Sequence, residues 1–519
     1  MRLRVLRPAV ISATLALSLT ACASPSQPGP TTSSPVPEAK TVLPASTPIS
    51  IPPDEETPPQ SSVSPGIPTT LEASSPSGHL ETEGPYIAYL KADGSAYSAE
   101  LRDIYGDGHV TYPLPHEAEP QLKFDLSPVN LISSSGEYFA YYTGNEEPPF
   151  DLQLRVIRLQ DGSQTESIPL LAADMDAAME ALAEDALAQH SDDFAGIPEE
   201  LVPEELLFSL QTGIRAYGWS PIADKLAFAS QANGPSSDLY VVIIPDGAIA
   251  RLTSGPQNIQ RLSWSPDGRW IAHGSAFVSG LGSSISNYIV SRDGATLLDL
   301  PDGGLIEGGW STSDWYFLHE AGHGSGDNAL KVVHVPDPVF LPVWPASFTS
   351  YAFDVPNETA AVSRYFSDQG DPGTYLSTTR GNITEDIPIP LLTLVAWGRG
   401  PNRFAGSGDE GVFAITTQGE AVPLFDEPRR ISISPDNDHL ALYDPRGDGP
   451  TVLFSASSGQ TTEVTKMPVD CVLWSPDSSA FFFVSSRTLY SFALGGLAPE
   501  LLDQRLLDQS CPMKVVGLY

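Results

Sequence analysis

The chain has 519 residues, with 64 Asp or Glu against 27 Lys or Arg and a formal net charge of −37. That balance argues against nucleic acid as a partner and favours solubility, because phosphates demand a basic surface. There are only three cysteines and no Cys-x-x-Cys pair, which excludes the common zinc-ribbon and dithiol redox motifs.

Arg2, Arg4 and Arg7 precede an apolar run, AVISATLALSL (residues 9–19), too short and wrongly flanked for a stable membrane span. It runs into Leu19-Thr20-Ala21-Cys22, which closely resembles the bacterial lipobox. The resemblance implies cleavage of residues 1–21 as a signal peptide, acylation of Cys22 and anchoring by more than one acyl chain, as a stable anchor requires. It implies a location outside the cytoplasm, lipid-anchored to a bacterial membrane at the cell surface or in the periplasm. An ordinary secretory signal that contains a cysteine is the alternative. Residues 22–83 are rich in Pro, Ser and Thr with few large apolar side chains, so they have too little to bury to offset the entropy of ordering. They read as a disordered tether of roughly 60 residues, reaching ~190 Å at most if extended.

From residue 84 onward one pattern recurs: a strand ending in Trp, a tight Ser-Pro turn, then a short apolar strand. It is clearest in YGWSPIADKLAFAS (217–230), LSWSPDGRWIAHGS (262–275) and VLWSPDSSAFFFVS (472–485), with looser copies from Gly308, Tyr351, Val395 and Ile431. The Trp position is held by Trp219, Trp264, Trp310, Phe353, Trp397, Ile433 and Trp474, at spacings of 45, 46, 43, 44, 36 and 41. A period near 40–45 with four short strands per unit is the mark of a β-propeller. The second strand of each unit is apolar at nearly every position, which suits a blade covered on both faces. These units resemble the TolB-type repeat, a relative of the WD repeat, over most of residues 84–519. The resemblance implies architecture and only weakly implies function, since such folds host unrelated activities.

Two fainter units precede them, at GPYIAYLKADG (84–94) and ISSSGEYFAYYTG (132–144). The first lacks an innermost strand, and the terminal MKVVGLY (513–519) reads as that strand. The expectation is therefore a single all-β propeller of eight or nine four-stranded blades, closed by the C-terminal strand on the first blade.

Residues 171–211 interrupt the repeat with 11 Asp or Glu and no Lys or Arg. Met175, Met179, Leu182 and Ala186 recur at helical spacing, and Pro198 and Pro203 fall where short helices would start, predicting a small helical insertion with one apolar face. It belongs to the same face of the ring as the hairpins between second and third strands. Those hairpins place Asp327, Asp368, Asp371, Asp409, Glu410, Asp444 and Asp448 around that face. Asp and Gly are also ordinary hairpin residues, so the ring is either turn chemistry or a surface for a basic partner or a divalent cation. Calcium is the natural cation, being oxygen-seeking and extracellular.

FLHEAGHGSG (317–326) contains His-Glu-x-x-His, a zinc-hydrolase pattern when it lies on a helix. Aligned without gaps on the repeat, His319 falls on His273 in a second strand, and His323 falls past Gly322 in a hairpin. Four extended residues span ~13 Å, whereas two nitrogens on one zinc sit ~4 Å apart. The extended form of the motif would want another ligand at 329, which is alanine. A metal on His319 and His323 is therefore not expected. No Gly-x-Ser-x-Gly elbow and no phosphate-binding glycine loop occur, so an enzyme is the lesser expectation, and no cofactor other than calcium is called for.

Cys471 and Cys511 each open a predicted innermost strand, in the last blade and in the strand that closes the first. A disulfide between them would latch the ring where oxidising conditions permit it. The function these residues point to is a monomeric, membrane-anchored platform binding an unidentified protein, peptide or glycan through the acidic loop face. The alternative is a hydrolase or lyase with its site at the funnel mouth, metal-dependent if His319, Glu320 and His323 take part.

Overall fold

A computed structural model describes residues 84–517, apart from 125–127, 190–200, 256–257, 277–285, 301–307, 313, 321–328, 336–338, 345–347, 355–356, 365–371, 379–382, 448 and 508–510. Eight four-stranded sheets and one three-stranded sheet follow one another along the chain as the nine blades of a β-propeller. In blades 3 to 9 the innermost strands are Tyr217–Trp219, Asn258–Trp264, Gly308–Thr312, Ser350–Asp354, Thr393–Arg399, Arg430–Ile433 and Cys471–Trp474. Each carries one of the residues that mark the repeat.

The turn after the marker residue explains the Ser-Pro-Asp spelling. Ser265 Oγ donates to Asp267 Oδ1 at 2.7 Å and accepts the Trp270 N–H at 3.0 Å, while Asp267 Oδ1 accepts the Arg269 N–H at 3.1 Å. Ser434 with Asp436, and Ser475 with Asp477, repeat these bonds. The residue after the Asp adopts positive φ: 62° at Gly268, 59° at Asn437 and 61° at Ser478. Gly and Asn suit that conformation best.

The second strands are mostly apolar because each faces two neighbours. In Lys225–Ser230 (blade 3), Leu226 and Phe228 pack with blade 2 residues such as Tyr138 and Val156. Ala227 and Ala229 pack with Trp264 and Ile271 of blade 4. In Ala480–Ser485, Phe481 and Phe483 pack with Leu453 of blade 8, while Phe482 and Val484 pack with Tyr89 of blade 1.

Blade 1 is completed as the sequence suggests. Met513–Val516 pairs antiparallel with the start of Tyr86–Asp93, Met513 opposite Tyr89 and Val516 opposite Tyr86. Cys471 and Cys511 are disulfide-bonded across the seam between blades 9 and 1, with Cα atoms 5.5 Å apart. Blade 2 departs from the pattern. Its sheet has three strands, and its innermost position holds a single bridge, Ile132 to Phe139, after the 3-10 turn Pro128–Leu131. The turn that follows keeps the repeat's chemistry, since Ser133 Oγ accepts the Tyr138 N–H at 3.2 Å and Gly136 has φ 81°.

One short helix, α1 (Glu119–Phe124), precedes blade 2. Two longer ones, α2 (Met175–Gln189) and α3 (Val202–Gly213), form the insertion, with Pro203 in the first turn of α3. Met175, Met179, Leu182 and Ala186 are buried together with Leu206 and Leu210 against blades 2 and 3, so the insertion's apolar face docks on the propeller. Among the described residues no helix is long and apolar enough to cross a membrane.

Candidate functional site

Antiparallel pairing puts the two ends of each blade's inner strand on opposite rims of the ring. The turn after each marker residue lies on one rim. The hairpins between second and third strands lie on the other, here termed the loop face.

On the turn rim, a cavity of about 640 Å³ is lined by Tyr217, Trp219 and Pro221 of blade 3, Leu262, Trp264 and Pro266 of blade 4, Asn130 and Ser134 of blade 2, and Lys514 of the closing strand. Ligand sites commonly have this size and this mix of aromatic walls with a few polar groups. The indoles are held rigidly, with Trp219 Nε1 donating to the Leu131 carbonyl at 3.0 Å and Trp264 Nε1 to that of Gly218 at 2.8 Å. Lys514 Nζ donates to the Ile132 carbonyl. Burial of the ammonium lowers its pKa from 10.5 to about 7. A lysine so placed carries a neutral amine in a large share of molecules at neutral pH.

A second cluster lies on the seam of blades 9 and 1. Among the described residues, Glu100, His109 and Asp503 are the one group of His, Cys, Asp or Glu side chains that brings three ligand atoms within 4.8 Å of one another. The protein already satisfies them. His109 Nε2 is 2.9 Å from Glu100 Oε2, Ser98 and Thr111 hydroxyls donate to the same carboxylate, and Lys91 Nζ donates to Asp503 Oδ1 at 2.8 Å. The Tyr89 hydroxyl donates to Asp503 Oδ2 at 2.7 Å. Burial raises the Glu100 carboxyl, but hydrogen bonds from His109, Ser98 and Thr111 outweigh it and hold the group below its ordinary value. Burial and the bond to Asp503 push the Tyr89 phenol well above the ordinary range. With its lone pairs committed to internal donors and a lysine already on Asp503, this cluster is a polar lock on the seam.

Of the acidic residues expected on the loop face, Asp409 and Glu410 are exposed at the two-residue hairpin between Asn402–Gly408 and Gly411–Thr416. Asp444 is only 6 % exposed. Its Oδ1 accepts the Arg446 N–H at 2.9 Å and lies 3.5 Å from Arg446 Nε, so it builds its own hairpin. Asp327, Asp368, Asp371 and Asp448 lie outside the described residues, as do Cys22 and His323.

His319 and Glu320 belong to the extended strand Trp315–Glu320. The gapless alignment of His319 on His273 is corrected by the register. Trp264 pairs with Ile271, seven residues on, but Trp310 pairs with Tyr316, six on, across a bulge. The position equivalent to His273 is therefore Leu318, and His319 is one step beyond, opposite Leu330. His273 itself is buried and neutral, its pKa lowered to about 3 by desolvation.

Sequence reasoning missed Lys514, Tyr217 and Asn130. The available signal was a lone lysine in the inner strand Met513–Val516, a position that lines the ring's interior.

No protein-family model matches the chain, and no curated protein does. Solved structures similar to it include a eukaryotic initiation factor (13 % identity, 82 % of this chain and 97 % of that one, TM-score 0.45). TolB from Acinetobacter baumannii is similar over 59 % of this chain and 63 % of its own, at 15 % identity and TM-score 0.26. A mitotic checkpoint complex chain is similar over 59 % of this chain and 83 % of its own, at 13 % identity and TM-score 0.28. Likenesses of this strength carry no functional argument, and the propeller assignment rests on the sheet order itself.

Proposed function

We propose that the chain is a bacterial lipoprotein, anchored through acylated Cys22 and held off the membrane by residues 23–83, whose propeller binds a peptide, protein or glycan. The ligand seats in the turn-rim cavity between blades 1 and 4. The observation that carries this reading is the cavity's lining: the rigid indoles of Trp219 and Trp264 and the ring of Tyr217 stand beside Asn130, Ser134 and Lys514 in about 640 Å³. Aromatic faces give area at low entropy cost, and few polar groups fix orientation. The Cys471–Cys511 bond suits an oxidising compartment, in keeping with a location outside the cytoplasm.

An enzyme with its site in this cavity is the second reading, favoured by Lys514 alone. A lysine titrating near neutrality can act as a base or as a nucleophile toward a carbonyl.

The test uses mature chain on peptide and glycan arrays, with Asn130→Trp to fill the cavity and the pair Asp409→Lys, Glu410→Lys to reverse the hairpin charge. Capture lost in the first and kept in the second supports the cavity. The opposite pattern moves the ligand to the loop face, and capture unaffected by both overturns the binding reading for these surfaces. Incorporation of a labelled fatty acid, abolished by Cys22→Ala, tests the anchor; its absence in the unchanged chain sinks that part.

A further inference from the structure

The loop face is not uniformly acidic. Where the second strand of blade 7 ends beside the lead-in to Arg430–Ile433, a cavity of about 250 Å³ is lined by Ser407, Arg429, Arg430, Asp444 and Arg446 among others. Three arginines thus gather at one cavity of a protein that has only 27 basic residues against 64 acidic ones.

Arg429 is the best fixed of them and is 6 % exposed. Its main-chain N–H donates to Ser407 Oγ at 3.0 Å, and its Nη1 donates to the Pro428 carbonyl at 2.8 Å. Nη2 pairs with Glu427, and the guanidinium carbon lies 5.2 Å from the centre of the Phe425 ring. The third nitrogen, Nε, is buried with no acceptor among the described residues. Gly449 leaves the room that this side chain occupies, since a Cβ there would fall 2.1 Å from Arg429 Nη2. Asp444 faces inward and steadies Arg446. Arg430 is exposed at the mouth, opposite Tyr443 of the neighbouring strand. Three arginines thus stand with Asp444 and Glu427 around one cavity, and Arg429 Nε has no acceptor among the described residues.

We propose that this pocket is a binding site for a small oxyanion, the carboxylate or phosphate group of a ligand that docks on the loop face. Guanidinium groups present planar forks of donors that match both anions, and Arg429, Arg430 and Arg446 bring three of them to one cavity. The site lies on the opposite rim from the aromatic cavity, so it stands or falls independently of the function proposed above. The protein's overall negative charge repels anions at a distance, which leaves selection to these short-range contacts.

The experiment is calorimetric titration of the mature chain with sodium phosphate and, separately, sodium succinate at fixed ionic strength. One saturable site is expected, and preference for one anion identifies the group. Arg429→Lys keeps the charge and removes the fork, and should weaken binding about tenfold or more, a change of ~1.4 kcal/mol. Arg430→Gln at the exposed mouth tests the same pocket without touching buried structure, and should weaken binding with an unchanged melting temperature. If Arg429→Lys fails to fold, Arg430→Gln and Arg446→Gln decide. No saturation by about 10 mM of either anion, or equal affinity in every variant that folds, overturns the proposal.

Discussion

The indole nitrogen of Trp264 donates to the main-chain carbonyl of Gly218 at 2.8 Å, tying the inner strand of one blade to that of the blade before it. Trp219 does the same to Leu131, and Trp310 to Ser263, at 3.0 and 3.3 Å. Trp474 reaches the hydroxyl of Ser432 at 3.2 Å. Where the residue that marks the repeat is Trp, it is therefore an inter-blade tie; Phe353 and Ile433 hold the same position without a donor to make one. Trp397 keeps the function with the direction reversed, donating forward to the Asn437 carbonyl at 2.9 Å.

Trp264→Phe keeps most of the apolar volume and deletes the donor. Losing the bond and leaving the Gly218 carbonyl without it should cost about 1–2 kcal/mol. Denaturant unfolding monitored by circular dichroism measures this, and a cost near zero would mean the indole acts by packing alone.

The disulfide closes a stretch with a sequence separation of 40. Chain-entropy arguments give about 4 kcal/mol for a loop of that length. Cys471→Ser with Cys511→Ser, or reduction, should lower the unfolding midpoint accordingly while hydrogen exchange rises first in Met513–Val516 and Tyr86–Asp93. Uniform loss of protection in all nine blades would show that the seam is not where the ring opens.

Lys514 titrates at about 7 in the folded protein against an ordinary 10.5. Between those values the unfolded chain binds more protons than the folded one, so stability rises with pH across that window; below about pH 7 both states are protonated, the slope vanishes and the cost of burying the ammonium is at its full value. Lys514→Met should flatten this slope and stabilise the protein at neutral pH. An unchanged slope between pH 7 and 10 would show that the ammonium is better hydrated than its place beside Ile132 suggests.

Gly213 ends α3 against blade 4. A Cβ there would lie 1.8 Å from the Ile259 carbonyl oxygen. Helix propensity alone favours Gly213→Ala by ~1 kcal/mol, but the clash is with main chain and cannot be relieved by a rotamer change. A net loss of about 1–3 kcal/mol is expected, measured by thermal unfolding; a gain would mean that α3 shifts freely on the blade.

The repeat was legible because its determinants are local. Ser265, Asp267 and Gly268 form their turn from consecutive residues, and the apolar second strands report burial on both faces by composition alone. Blade 5 shows the limit of this reading. A bulge between Trp310 and Thr312 shortens the connection by one residue, and a one-residue slip moves every later side chain to the other face, taking His319 off the position of His273. Blade 2 shows another, for its inner strand lacks a marker residue and shrinks to one bridge at Ile132.

The sequence by itself determined the propeller, its closure by the C-terminal strand and the helical insertion, since each follows from periodicity that neighbouring residues enforce. Only the tertiary structure decided what the rims present. Lys514 shares a cavity with Asn130, Tyr217 and Trp264 because closing the ring brings the chain's last strand to the same rim as its second, third and fourth blades. Arg429 and Arg446 share a cavity because the lead-in to Arg430–Ile433 lies beside the hairpin after His439–Tyr443, where Asp444 turns inward. Contacts of that kind join residues whose separation along the chain bears no fixed relation to the repeat, so no pattern of spacing records them.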